Sequence, residues 1–463
     1  MHAQNQPQVH GGSWTDLYGY SGPCISDEQV AEMIPQIRQE ANAWIASHTD
    51  QFQALRESSG LTRGTLHISF DLPIRHKAEF ADPGYFAVTN FVDHNLAPST
   101  LSDYNCGTRT YDWSSGNHQG SDYILWPYAW QRMDEQVMEI VAGAPGVIVR
   151  KVDGYADRNC EINGSILWNA IYLLHADSSI SWYLHFKSGS VTPKNLGDFV
   201  ETGEYLGTAG SSGSSNIPHL HFQVFDKEDQ VVDPYTGSCN LLNPDTWWND
   251  QAAYWEPQIN RISVHGALPI ENCPSPEVSN EQLEFDPGDD IYLMLWAKDF
   301  LNGALIQVEI ERPDGSLMNN WDFISPWDNY SAAWLYWVQP TTSTDALGRY
   351  LFRASFNGVT YEREFYLGDA PVVSGIEAPP LLSQWQLFPN PSTDFVTLQW
   401  NNAVHGLVQV SVADAHGRLV WQQTIEDVHN GTAIPIPKFT EGVYTVQWRA
   451  GALADYRVLV VND

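Results

Sequence analysis

Three short stretches of the 463-residue sequence hold residues able to bind a metal or move a proton. "HQGSD" carries His118 and Asp122, "SWYLHF" carries His185, and "NIPHLHFQVF" carries His219 and His221. Successive side chains of a β-strand alternate faces, so His219 and His221 would share one face, with Cα atoms ~6.6 Å apart. Catalytic zinc takes three protein ligands, typically neutral imidazoles and a carboxylate, and keeps a fourth position open for water. His118, Asp122 and one histidine of the pair make such a set. His185 and the other member are then left to take up and deliver protons, which chemistry at a metal-activated water requires. Each residue alone has an ordinary structural use; the set is what points to chemistry.

These residues need a β scaffold, and the surrounding pattern supplies one. Strands are expected in "MEIVAGAPGVIVRKV", "NAIYLLHA", "SWYLHF", "DFVETGEYLGTAG" and "PHLHFQVF", separated by turns rich in Gly, Pro and Asn. The one helical region is 26–58, opened by a capping box of Ser26 and Gln29. Val30, Ile34, Ile37, Ala41, Trp44 and Ile45 recur there near a 3.6 period. Pro35 is expected to kink or divide it.

Beyond the Trp-rich "TWWNDQAAYWEP", residues 257–368 alternate as in an immunoglobulin-like sandwich. A Pro-rich linker is expected at 369–382, and a further β segment at 383–463. The expected fold is therefore mainly β, with a helical region over 1–75, a β-sheet domain over 76–250 and two sandwiches behind it.

Composition narrows the partners. Lys+Arg 23 against Asp+Glu 56 gives a net charge of −33, which argues against nucleic acid, because phosphate binding relies on basic side chains. No run of ~18 apolar residues exists to span a membrane. The opening "MHAQNQPQVHGG" lacks the basic and apolar regions of a signal peptide, so export implies a leader already removed. The five cysteines, Cys24, Cys106, Cys160, Cys239 and Cys273, include no C-x-x-C pair. Two bridges and one cysteine left over would suit an oxidising compartment, with Cys239–Cys273 the first expected pairing.

In order and spacing, "HQGSD", "SWYLHF" and "GTAGSSGSSNIPHLHF" resemble the lysostaphin/LytM-type zinc metallopeptidases, which cleave peptide cross-links of bacterial peptidoglycan. The likeness covers residues 115–237 and includes the framework "VMEIVAGAPGVIV" and "NLGDFVETGEYLGTAGSSG". It implies an antiparallel LytM-type sheet and Zn2+ held by His118, Asp122 and His221, with His185 and His219 as the catalytic histidines. Two positions depart from the pattern: Ile217 stands where the family usually has Gly, and Gln223 where it usually has Glu. His175 matches a family histidine but is expected to have no catalytic role. The pair Asp93–His94 has no counterpart in the pattern and reads as structural.

The C-terminal stretches "LFPNPSTDFVTL", "VSVADAHGRLVW" and "EGVYTVQW" resemble the type IX secretion sorting domain of Bacteroidetes-type bacteria. That likeness implies export to the cell surface or medium through the type IX machinery. The leading expectation is a secreted peptidoglycan endopeptidase. Its alternatives are a protease of glycine-rich proteins and a non-catalytic cell-wall-binding relative. The first 75 residues are expected to act as a pro-segment that covers the groove.

Overall fold

Runs of β-branched and aromatic residues, broken by Gly, Pro and Asn, make strands the main element of the computed structural model. It describes residues 7–461 except 20–23, 60–66, 79, 98, 114–115, 161–166, 370–384, 389–395, 401–403, 415–418, 429–432, 438, 441 and 451–452. Met1–Ala370 and Pro371–Asp463 form two compact units.

The first unit is built on an antiparallel sheet whose strand order decides the site. Its path runs Phe199–Val200, Gly146–Val152, Ala170–Leu174, Ile180–Leu184, His219–Phe225, Ser121–Leu125, Phe86–Asn90. Val231–Val232 also pairs with His219–Phe225. Every residue of the three strands 170–174, 180–184 and 219–225 is buried. A strand covered on both faces has no polar side to show, which is why these sequences read as near-continuous apolar runs. A smaller sheet, Tyr205–Thr208, Met138–Val141 and Ile74–His76, shares the same hydrophobic core.

The N-terminal region packs onto this body. Ser26 and Gln29 form the expected capping box, and the helix runs Asp27–Ser47. It continues through Pro35 instead of dividing there. The break falls at His48, after which a second helix runs Thr49–Ser58. Val30, Ile37, Ala41, Phe52 and Leu55 are buried in the core of the large sheet. Arg38 fastens the helix to a turn, with its guanidinium 2.7 Å from Asp229 Oδ1 and 2.6 Å from the carbonyls of Ser178 and Asp226. Arg150 binds Glu40 through two nitrogens at 2.8 and 2.7 Å.

The immunoglobulin-like sandwich has its own core, built around Ile262, Leu293, Leu295, Trp337 and Phe352. One of its sheets contains a strand the helical reading of the N-terminus did not anticipate: Val9–Ser13 pairs antiparallel with Tyr330–Pro340. The sandwich joins the large sheet through Trp126, whose Nε1 donates to Ala297 O at 3.0 Å and whose ring meets Trp296 edge-on.

In the second unit, one sheet orders Trp385–Phe388, Val396–Trp400 and Ala433–Ile436. The other orders Leu419–Val428, Val404–Asp414, Gly442–Ala450 and Leu453–Val461. Leu398, Val408, Val410, Val412, Val446 and Leu459 form its core. Most of the expected linker, the "PNP" opening and the turn of "DAHGR" lie outside the described residues.

The cysteine pairing differs from expectation. Cys239 bonds to Cys106 and Cys273 to Cys160, leaving Cys24 free and buried. Cys239 and Cys273 flank the end of one domain and the start of the next, which suggested their pairing, but the backbone N–H of Cys239 donates to Tyr104 O, two residues before Cys106. Arg158 Nη1 likewise reaches Ser275 O, holding the Cys160 and Cys273 loops together. Alkylation of the denatured, unreduced chain should therefore label one thiol, at Cys24, and peptide mapping should recover the two cross-linked pairs. Labelling at three or more cysteines would refute this pairing.

Candidate metal centre

His219–Phe225 lies inside the large sheet, with Ser121–Leu125 on one side and Ile180–Leu184 on the other. Register places His221 opposite both Asp122 and Leu184. His185 is the next residue after Leu184, at φ +68°, a left-handed conformation uncommon for a side-chain-bearing residue. His118 precedes the Asp122 strand in "HQGSD". Gly120 is required in between, because a Cβ there would come within 2.6 Å of His221 Nε2.

All five residues singled out from the sequence come together, and all are buried. His118 Nε2 lies 3.2 Å from His221 Nδ1. Asp122 Oδ1 lies 3.2 Å from His118 Nε2, 3.0 Å from His221 Nδ1 and 3.8 Å from His219 Nε2. Both histidines of the HLH pair thus reach one carboxylate oxygen, as a shared strand face requires.

The outward-facing hydrogen bonds fix which nitrogen of each ring carries hydrogen. His118 Nδ1 donates to Phe91 O at 2.7 Å, since a carbonyl can only accept, so in the neutral ring Nε2 holds a lone pair. His221 is set by a longer chain. Asp27 Oδ1 accepts from Gln119 Nε2 at 2.7 Å, and Gln119 Oε1 accepts from Gln223 Nε2 at 3.0 Å. Gln223 Oε1 is then left to accept from His221 Nε2 at 3.0 Å, which puts the lone pair on Nδ1.

Two nitrogen lone pairs and a carboxylate oxygen therefore face one another across about 3 Å. Such a cluster needs a cation or a proton in its middle. Ligands ~2.0–2.1 Å from a tetrahedral zinc stand roughly 3.3 Å apart, close to the observed spacing. The residues fit the ion.

Electrostatics agree. Burial alone would raise the Asp122 carboxyl, but His118, His221 and His219 outweigh it and hold it well below the usual carboxylate range. Asp122 Oδ2 accepts from Asn90 Nδ2 at 3.0 Å, which orients the carboxylate. Burial, reinforced by the neighbouring His219, pushes His185 well below its ordinary value. Burial likewise lowers His219. The two rings lie 4.5 Å apart between centroids. His219 Nδ1 donates to Ile217 O at 2.8 Å and His185 Nδ1 to Ser212 O at 2.6 Å. Their Nε2 atoms are thus free of hydrogen, and His185 Nε2 is buried with no hydrogen-bond partner.

Two further histidines have structural partners. His175 bridges Pro145 O and Ser181 Oγ, and His94 Nε2 meets Asp233 Oδ2 at 2.8 Å. Sequence reasoning did not bring in three neighbours: Tyr111, whose ring lies 4.4 Å from that of His118, and Asn90 and Cys24. Only Cys24 left a trace in the sequence, as the odd cysteine.

Residues 133–234 match the family model described as peptidase family M23, and residues 386–462 match that of the secretion system C-terminal sorting domain. The chain carries an M23 peptidase domain. The matched stretch contains His185, His219 and His221, while His118 and Asp122 lie just ahead of it. Lysostaphin of Staphylococcus staphylolyticus is 45% identical over 42 residues, 9% of this chain and 8% of lysostaphin. The chain thus spans less than a tenth of that relative's length.

Among solved structures, the catalytic domain of lysostaphin from Staphylococcus simulans is 25% identical, with 27% of this chain and 83% of that one covered and a TM-score of 0.20. A zinc-containing peptidase from Vibrio cholerae is 18% identical, with 37% and 41% covered and a TM-score of 0.22.

If Gln223 fixes the His221 tautomer, Gln223→Leu should weaken metal binding about 10–100-fold, read by competition with a chromogenic chelator. Unchanged affinity would separate Gln223 from the centre.

Proposed function

We propose that this chain is a secreted zinc metalloendopeptidase that hydrolyses peptide bonds in bacterial peptidoglycan cross-links. The observation that carries this reading is the trio of inward-facing acceptors, His118 Nε2, Asp122 Oδ1 and His221 Nδ1, inside an M23 fold. These three residues would hold the ion. Zinc bound there would polarise the scissile carbonyl and make a water acidic enough to attack it.

The remaining work falls to His185 and His219. Each presents a hydrogen-free Nε2, and burial favours the neutral ring, so both are suited to accept a proton from water rather than to donate at the outset. Once protonated, the same Nε2–H can hydrogen-bond the oxyanion and later deliver its proton to the leaving amine. The backbone carbonyls of Ser212 and Ile217 hold both rings in that orientation throughout.

The division of the chain that suits this role is an N-terminal pro-segment (1–75), the peptidase domain (76–250), the immunoglobulin-like spacer (257–368), a linker (369–382) and the sorting domain (383–463). The sorting domain's family supports export through type IX machinery to the surface or medium.

The test compares metal content with hydrolysis. His221→Ala should lose both zinc and clearing of purified peptidoglycan. His185→Ala should keep about one zinc per chain while hydrolysis falls by roughly 10²–10⁴. Because Cys24 borders the centre, clearing is read in the parent and again with Cys24 replaced. Full hydrolysis by either histidine variant would overturn the assignment. Cleavage of a glycine-rich protein without release of muropeptides would favour the alternative substrate.

A further inference from the structure

The first unit holds one cysteine outside the disulfides, and it lies inside the metal centre. Cys24 Sγ is 3.2 Å from His221 Nδ1 and 3.4 Å from the Tyr111 hydroxyl. The ligand-type atoms of Cys24, His118, Asp122 and His221 all lie within 4.8 Å of one another. Those of Cys24, His185 and His219 also do so. Cys24 is the member common to both groups, so its sulfur lies within 4.8 Å of ligand-type atoms of the three acceptors and of the two proton-handling histidines.

A second observation points to the same place. His185 Nε2 is fully buried, hydrogen-free and without a partner, although burying a polar atom unpaired is costly. Cys24 lies in the same buried group as His185 and His219. The cleft beside the centre is also walled from the N-terminus, since Trp14 and Cys24 line it together with Ile217 and His219.

Resting on the reading of the centre as a zinc site, we infer that Cys24 is its fourth protein ligand, and that the N-terminal segment thereby holds the peptidase latent. Zinc with three protein ligands and water is a catalytic arrangement, whereas four protein ligands close the coordination sphere. The thiol of Cys24 gives up its proton to solvent on binding, and the thiolate sulfur takes the place of water. No redox step is involved.

The segment that delivers Cys24 is anchored on both sides of it. Upstream, Val9–Ser13 is a strand of the sandwich, and Tyr18 OH donates to Glu277 Oε1 at 2.5 Å. Downstream come the Ser26 capping box and the Arg38 bonds to Asp229, Ser178 and Asp226. The helix is also linked to the centre through Asp27, the far end of the amide chain that orients His221. The sulfur is thus held in place by two anchors and a core-packed helix, and withdrawing it requires moving the segment.

Cobalt(II) loaded into the full-length chain tests this without relying on activity. The four disulfide-bonded cysteines cannot supply a thiolate, so a near-ultraviolet thiolate-to-cobalt absorption reports Cys24 alone. The parent should bind one cobalt and show this band. Cys24→Ala should bind one cobalt without the band, and its peptidoglycan clearing should rise at least about tenfold over the parent. Should the Ala variant fail to fold, Cys24→Ser is read in the same way.

A parent chain that binds one cobalt without the band, or a band that survives in the variant, overturns the assignment of Cys24 while leaving the zinc centre standing. Equal clearing by parent and variant overturns latency. Failure of a different kind, in which His118→Ala binds cobalt as well as the parent, would sink the centre itself.

Discussion

Three hydrogen-bond acceptors cannot face one another across 3 Å unless something positive joins them, and much of this chain's architecture serves to keep them so. His118 Nε2, His221 Nδ1 and Asp122 Oδ1 converge because cross-strand register sets Asp122 opposite His221, and a glycine at 120 lets the HQGSD loop pass the imidazole. The outer nitrogens are spent on Phe91 O and Gln223 Oε1, so neither ring can turn a hydrogen inward without losing a buried bond. Without a cation this arrangement would be a defect, since a buried acceptor left unpaired costs about 1–3 kcal/mol. With one, every donor and acceptor of the trio is used.

The same constraint explains why the N-terminal segment matters beyond its packing. A site built from acceptors invites any donor or soft ligand that can reach it, and the sheet alone does not close the fourth side. Residues before the peptidase fold close it with Cys24, while Val30, Ile37 and Ala41 bury the helix that follows in the sheet's own core. The segment is therefore part of the fold's hydrophobic interior and part of its polar centre at once. Any release of the centre must disturb both, which ties access to the site to the stability of the segment's docking.

The strands, the initial helix cap and the five clustered residues were legible in the sequence because each rests on local pattern: alternation, a Ser-x-x-Gln box, and motifs at short spacing. What was not legible depended on contacts distant in sequence. Cys24 meets His221 across 197 positions, and Cys106 meets Cys239 across 133. The pairing read from cysteines flanking a domain boundary therefore went to the wrong partners. The strand Val9–Ser13 was hidden for another reason: in "VHGGS" only Val9 favours a strand and two glycines disfavour one, and it is a strand because Tyr330–Pro340 offers it an edge. Pro35 did not stop the helix because the residues on both sides of it, Val30 and Ile37, are buried against the sheet, and tertiary packing outweighs one lost backbone bond.

Ile217 and Gln223, the two departures from the lysostaphin-type pattern, take on definite roles in this geometry. Ile217 contributes its backbone, which accepts from His219 Nδ1, so the bond does not depend on which side chain stands there. Gln223 is different. A carboxylate at this position could also accept from His221 Nε2, but it would then face Gln119 Oε1 with a second acceptor. Gln119 would have to turn its amide over, and its Nε2 would leave Asp27. An amide at 223 can accept from His221 on one side and donate to Gln119 on the other, which lets the chain of bonds run on to the first residue of the N-terminal helix. The glutamine thus suits a centre whose outer hydrogen bonds are completed by the segment that also brings Cys24, and the two features form one device rather than two departures.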